Sequence, residues 1–153
     1  MVNLYLQSRT TPDDHGYGDT LILESDLHLK FACPCSCCPN PRKPLIKGGA
    51  HWKGVYDWIA EGIYDYECVN HGRYGKCLSI NGHGEVASRS PVANSDGSIF
   101  TRVYVHKGYT MDWRGSAGCP TIRPDAWSCF QSFFEVGDHG KIVIAGRLCE
   151  CKI

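Results

Sequence analysis

The sequence predicts a mainly β protein with a single α-helix in its C-terminal third. Short runs of β-branched, aromatic and alternating apolar residues recur along the chain, and turn-forming residues separate them. Only the segment that begins at Pro124 repeats apolar residues at helical spacing. A chain of this length is expected to form a single domain over 1–153.

The first predicted strands lie in the N-terminal third of the chain. Apolar and polar residues alternate over 2–6, which is the period of a strand with one buried face. Residues 20–24 and 27–31 are predicted to form a hairpin with its turn at Ser25 and Asp26.

The next segment, 33–50, breaks the strand pattern. Its first twelve residues hold four cysteines and four prolines and show neither a helical nor a strand period. We therefore predict an irregular, Cys/Pro-rich surface insertion over 33–50 within the single domain.

The central part of the chain is again rich in strand signals. Strands are predicted over 62–69 and 74–80, followed by a turn at Asn81 and Gly82 that suits positive φ. The β-branched and aromatic run over 99–105 predicts a central strand.

One helix follows, and Pro124 suits its first position. It is predicted to end at 136–137, before a last short strand over 141–145. The residues that share its apolar face are Trp127, Phe130 and Phe134.

Charge and hydropathy exclude two classes of partner. Sixteen Lys and Arg residues balance sixteen Asp and Glu residues, which leaves no basic surplus for nucleic-acid binding. No apolar run approaches the roughly 18–20 residues of a spanning helix, so no integral membrane association is expected. The N-terminal residues lack the basic and apolar regions of a secretory signal.

The ten cysteines are many for a chain without a signal, and they indicate metal binding, catalysis, or export followed by oxidation. The candidate ligands of a structural zinc, which include one C-x2-C spacing, are Cys33, Cys35, Cys37 and Cys38. Disulfides that staple this segment and the C-terminal tail, or free thiols, are the alternatives. Cys68 and Cys77 are predicted to form a cross-strand bridge or a buried pair, and Cys129 a buried free thiol.

The segment 105–122 carries the clearest chemical pattern. A cysteine nucleophile needs a base to take its proton, and histidine serves near neutral pH. His106 ends a predicted strand, which is a rigid mount for the imidazole, and Cys119 follows in a loop of small residues. The backbone N–H groups of Gly118 and Cys119 are candidate donors to an oxyanion.

The same segment, from His106-Lys-Gly to Ser116-Ala-Gly-Cys119-Pro-Thr-Ile, resembles the signature of the L,D-transpeptidase (YkuD-like) catalytic domain. It is most similar to small phage-type cysteine peptidoglycan peptidases, and the match covers 99–146. The resemblance implies a β-sandwich-like fold whose groove holds the cysteine and the histidine.

The resemblance also implies a role for each matching residue. Cys119 maps onto the nucleophile and His106 onto its base, and no cofactor is required for catalysis. Ser116 and Gly118 map onto the Ser-x-Gly that precedes the nucleophile. Gly108 maps onto the glycine that follows the base.

Four further residues are candidate substrate contacts. Tyr104 and Trp113 are expected to line the groove. Larger transpeptidases carry Arg two residues after the cysteine, where this chain has Thr121, and the nearest arginine is Arg123. An arginine there would bind a substrate carboxylate bidentately, and its absence favours a hydrolase over a cross-linking enzyme.

The resemblance implies that the partner is the peptide stem of peptidoglycan, attacked through a thioester on Cys119. Without a signal, the protein is expected to be made in the cytoplasm. It would then act in the periplasm or cell wall after export, injection or lysis, with an immunity or export partner. The alternatives are a cross-linking L,D-transpeptidase and a non-catalytic, Cys-rich module that binds or builds the wall.

Overall fold

The computed structural model describes residues 2–7, 16–26, 28–37, 59–86, 102–112 and 119–145. These residues are mainly β, with one α-helix, as the sequence predicts. The strands are β1 (Val2–Gln7), β2 (Asp19–Ser25), β3 (His28–Ser36), β4 (Gly62–His71), β5 (Gly75–Ile80), β6 (Tyr104–Lys107), β7 (Thr121–Ile122) and β8 (His139–Ala145). The helix, α1 (Pro124–Gln131), follows β7.

The eight strands close into one barrel in the order β1-β2-β3-β7-β6-β5-β4-β8. Two neighbouring pairs, β1 with β8 and β6 with β7, are parallel, and the other pairs are antiparallel. The ring of hydrogen-bonded strands is continuous, because β1 pairs with β2 on one side and with β8 on the other. The β-sandwich that the resemblance implied is therefore not confirmed.

Inward-facing side chains fill the barrel with apolar groups. Successive residues of a strand point to opposite faces, and on β4 the buried residues Tyr64, Tyr66 and Cys68 alternate with residues of greater exposure. The other strands contribute Leu4, Leu6, Leu21, Leu23, Leu78, Ile80, Val105, Ile122, Ile142 and Ile144. All of these side chains are buried, so the barrel interior is a packed apolar core.

The predicted insertion at 33–50 is wrong at its beginning, because residues 33–36 complete β3. Cys33 and Cys35 are buried and occupy alternate positions, where free cysteine behaves as a small apolar group. Pro34 keeps a hydrogen bond on the side of β3 that faces β7, because its carbonyl accepts the Arg123 N–H at 3.1 Å. The remainder of the segment, 38–50, lies outside the described residues.

Most of the other predicted elements are confirmed. The hairpin of β2 and β3 turns at Asp26, whose φ is 53°. The strands at 62–69 and 74–80 are β4 and β5, and Asn81 has positive φ as predicted. The central strand begins later than predicted, at Tyr104, and 99–101 lies outside the described residues.

The helix α1 begins at Pro124 but ends at Gln131, earlier than predicted. The chain leaves it through tighter turns, in which Phe133 N–H donates to Phe130 O at 3.2 Å. Phe134 lies beyond the helix and still packs edge-on against Tyr66, with 5.7 Å between ring centroids. The residues predicted for the apolar face, Trp127, Phe130 and Phe134, are all buried.

Two predictions about cysteines are corrected. Cys129 is exposed, because it lies on the side of α1 away from the buried face. Cys68 pairs with Leu78 and Val69 with Cys77, so that the side chains of Cys68 and Cys77 point to opposite faces of the sheet. Both are buried free thiols, and the bridge is excluded by this register.

No helix in the described part of the chain is both long enough and apolar enough to span a membrane.

Candidate active site

The candidate site lies on the outer face of β5, β6 and β7. Val105 pairs with Leu78 on the inner face of the sheet, so its neighbours Tyr104 and His106 point outward. Thr121 is the register partner of His106 and shares its face. We call the outward-facing residues of this region the outer patch, which comprises Cys77, Ser79, Tyr104, His106 and Thr121. All five are buried although they face away from the barrel interior, and Cys77 and Tyr104 belong to the apolar core cluster.

Parallel pairing of β6 with β7 brings Cys119 to this patch. His106 N–H donates to the carbonyl of Pro120 at 3.2 Å, and Gly108 N–H donates to Ile122 at 2.8 Å. One residue before Pro120, the Sγ of Cys119 accepts the backbone N–H of Tyr104 at 3.4 Å. The residues predicted as nucleophile and base therefore lie on neighbouring backbone segments of one sheet.

A backbone carbonyl sets the tautomer of His106. Its Nδ1 lies 2.8 Å from the carbonyl oxygen of Lys107, and a carbonyl can only accept, so Nδ1 carries the proton. The neutral ring then has a free lone pair on Nε2, as a general base requires.

Burial keeps the imidazole of His106 neutral. It lowers the pKa of His106 from 6.5 to about 4, an effect that the hydrogen bond to Lys107 partly offsets. The nearby positive charge of Arg73 lowers this pKa further.

Burial also keeps the thiol of Cys119 protonated. It raises the pKa of Cys119 from 9.0 to about 11, against the hydrogen bond from Tyr104, which lowers it. Near neutral pH, the resting site is therefore a neutral thiol with a neutral imidazole, and not a thiolate–imidazolium ion pair.

The turn between β4 and β5 supplies two aromatic rings that the sequence reasoning missed. The Tyr74 ring stacks on His106, with 4.0 Å between centroids and 8° between planes. His71 stacks on Tyr74 at 4.8 Å and 25°, and its ring also lies 4.8 Å from Tyr104. The sequence pattern places Tyr74 at the start of a predicted strand, and no local signal ties it or His71 to His106.

Two hydroxyl groups of the outer patch have no hydrogen-bond partner among the described residues. They are the Oγ of Ser79 and the Oγ1 of Thr121, which are 1% and 0% exposed. Buried polar groups are nearly always paired, so these two atoms are suited to receive a polar group from a ligand. That Thr121 contacts substrate stays a prediction.

The other predicted substrate contacts are placed differently. Gly108 packs against Tyr17, whose hydroxyl would overlap any Cβ added at this position. Tyr17 also donates to the carbonyl of Thr110 at 2.6 Å, so Gly108 is explained by packing. Arg123 is occupied by a bidentate pair with Asp125, at 2.7 and 2.9 Å.

Several predicted site residues lie outside the described residues. They are Cys38, Trp113, Ser116 and Gly118. The oxyanion donors and the loop before Cys119 therefore remain predictions from the sequence.

The structure places the candidate zinc ligands in the core. Cys33, Cys35 and Cys37 are buried, and burial raises the pKa of the Cys33 thiol to about 12. Asp19, the nearest acid, already accepts the Cys37 N–H at 2.8 Å. Within the described ranges, no three ligand side chains lie together as a metal site would require.

Two surface cavities, of about 460 and 380 Å³, lie elsewhere on the barrel. Both border Tyr66 and His139, and neither is lined by His106 or Cys119.

Comparison with known proteins adds no relative to this description. No protein-family model matches the chain, and no curated protein or solved structure is significantly similar to it.

Proposed function

We propose that the protein is a Cys-His acyl-transfer enzyme that acts on the peptide stems of peptidoglycan. The observation that carries this proposal is the pairing of β6 with β7, where Cys119 adjoins the strand of a buried histidine whose Nδ1 is held by a backbone carbonyl. The peptidoglycan substrate and the L,D-transpeptidase-type fold rest on the resemblance of the segment around these two residues.

The proposed reaction begins from the neutral pair. The Cys119 proton passes to Nε2 of His106 while the sulfur attacks a peptide carbonyl, forming a C–S bond and an oxyanion. The oxyanion collapses, the C–N bond breaks, and the imidazolium gives its proton to the departing amine. A thioester on Cys119 remains, and His106 is neutral again.

Water is the acceptor that we propose for this thioester, which makes the enzyme a hydrolase. His106 removes a proton from water, the hydroxide attacks the thioester carbonyl, and the thiol leaves protonated. Thr121 offers a neutral hydroxyl where a cross-linking enzyme carries arginine, and Arg123 is already paired with Asp125. Resolution by an amine, which would give a transpeptidase, is the alternative.

A second candidate is a wall-binding or structural module in which Cys119 is inert. The observation in its favour is the protonation state of the pair, since burial raises the pKa of Cys119 and lowers that of His106. Reactive cysteines usually have depressed pKa values. In this case the protein would bind murein without altering it.

Digestion of purified murein sacculi separates these candidates. The wild-type protein is expected to release new muropeptides, identified by mass spectrometry, whereas Cys119→Ala and His106→Ala release none. Cys129→Ala is the matched control, because this thiol is exposed on α1 and free. Binding of the wild type without new products would reject the enzyme and favour the structural module.

A further inference from the structure

Two contacts of different kinds hold the imidazole of His106. The hydrogen bond from Nδ1 to the Lys107 carbonyl, at 2.8 Å, fixes which edge of the imidazole faces Lys107. The stack on Tyr74, at 4.0 Å and 8°, fixes the plane itself. Together they leave Nε2 with one orientation, which a general base needs because small misplacements cost rate.

Tyr74 is itself held in place by its own turn. The Nδ1 of His71 accepts the backbone N–H groups of Arg73 at 3.0 Å and of Tyr74 at 3.3 Å. Gly75, which follows, has a φ of +67°, a conformation that glycine adopts without strain. The phenol ring of Tyr74 therefore contacts His106 from a preorganised turn. This turn joins β4 and β5, whereas His106 lies on β6.

The face of the Tyr74 ring also interacts more favourably with the protonated form of His106 than with its neutral form. The π-face of an aromatic ring carries negative partial charge and attracts a cation placed over it. A neutral imidazole gains little from this attraction, whereas an imidazolium gains more. The surroundings otherwise oppose the imidazolium, because the positive charge of Arg73 acts on His106.

We propose that Tyr74 is a positioning residue for His106 and that its ring face stabilises the imidazolium formed when His106 accepts the Cys119 proton. This inference rests on the proposed function. Stabilisation that arises only after proton transfer lowers the barrier without tightening substrate binding, so the effect belongs in kcat and not in KM.

The test compares Tyr74→Phe, which keeps the ring face, with Tyr74→Leu and Tyr74→Met, which remove it. On murein peptides, Tyr74→Leu is expected to lower kcat by about tenfold to thirtyfold with KM within twofold, and Tyr74→Phe to stay near the wild type. Tyr74→Met serves the same purpose if Tyr74→Leu does not fold.

A substrate-independent measurement accompanies the kinetics. In the wild type, the two ring nitrogens of His106 should give well-separated ¹⁵N shifts, because the Lys107 bond holds a single neutral tautomer. We expect the shifts to converge in the variants without a ring face and to stay apart in Tyr74→Phe.

The outcomes distinguish this inference from the proposed function. Unchanged kcat together with separated nitrogen shifts in Tyr74→Leu or Tyr74→Met would overturn it, and so would equal losses in Tyr74→Phe. A wild type that leaves murein unaltered rejects the proposed function instead, and the nitrogen shifts then decide the positioning role.

Discussion

The backbone N–H of Tyr104 donates to the Sγ of Cys119 across 3.4 Å, at the junction where β6 begins to run beside β7. This contact favours a thiolate, because a hydrogen bond to the charged form lowers the pKa of a thiol. Burial outweighs it and raises the pKa of Cys119 to about 11. In the proposed reaction, Cys119 therefore remains a thiol until His106 takes its proton.

The first prediction concerns alkylation of Cys119. With a pKa of about 11, this thiol should react slowly with iodoacetamide at pH 7 and faster as the pH rises through 9 to 11. Peptide mapping by mass spectrometry gives the rate at each cysteine, and the exposed Cys129 serves as an internal control. Rapid alkylation of folded Cys119 at pH 7 would contradict the neutral pair.

The second prediction concerns stability in acid. The pKa of His106 falls from 6.5 to about 4 on folding, so its neutral form stabilises the fold above pH 6.5. This contribution is lost as the pH drops from 6.5 to 4 and amounts to roughly 3 kcal/mol. In urea denaturation, His106→Gln should lose less stability than the wild type between pH 7 and pH 4. Parallel losses in the two proteins would refute this assignment.

The third prediction separates stability from activity at Thr121. Its Oγ1 is buried without a partner, so Thr121→Val should leave the free energy of unfolding unchanged or raise it by about 1 kcal/mol. If the hydroxyl receives substrate, the same variant loses kcat/KM. Ser79→Ala provides the matched comparison at the second unpaired hydroxyl. A clearly destabilised Thr121→Val would mean that this oxygen has a structural partner.

The fourth prediction concerns the contact between Gly108 and Tyr17. A Cβ at position 108 would overlap the Tyr17 hydroxyl, so Gly108→Ala should destabilise the fold by about 1–3 kcal/mol. Tyr17→Ala removes the obstacle, and the double variant should recover most of the loss. A double-mutant cycle in chemical denaturation measures this coupling. Additive losses would show that Gly108 is needed for another reason.

The fifth prediction concerns metal removal. Cys33 and Cys35 pack in the barrel as apolar groups, so chelation should leave the Tm unchanged. Cys35→Ser should cost about 1–3 kcal/mol, because a buried hydroxyl would have to find a partner. A Tm that falls with a chelator and recovers with zinc would indicate a metal site instead.

The local elements were predictable where one face of a strand is buried. Alternation over residues 2–6 predicted β1, and the apolar pattern around Asp26 predicted the β2–β3 hairpin. Barrel closure was not predictable, because the pairing of β1 with β8 joins distant segments whose register no local pattern encodes.

The misread segment shows how composition misleads. Cysteine and proline dominate at Cys33, Pro34 and Cys35, and this composition predicts an irregular insertion. In β3 the two cysteines instead point inward as apolar groups, and the carbonyl of Pro34 accepts a hydrogen bond. This depends on the neighbouring β2 and β7, which the sequence of the segment alone does not reveal.

In the candidate site, too, a local motif predicts some residues and misses others. His106 and Cys119 could be paired from a local motif, because a short stretch of chain contains both. Tyr74 could not, since a turn between two other strands carries it to the imidazole. Neighbours that come from distant segments are set by tertiary packing.

The central claim is that Cys119 forms a thioester with a peptide stem, and intact-protein mass spectrometry tests it most directly. After brief incubation with purified stem peptides and an acid quench, the wild type should gain the mass of the acyl fragment, and peptide mapping should locate it on Cys119. Cys119→Ala should gain nothing and release no product. Turnover of the peptides by Cys119→Ala, or an adduct on another residue, would contradict the account.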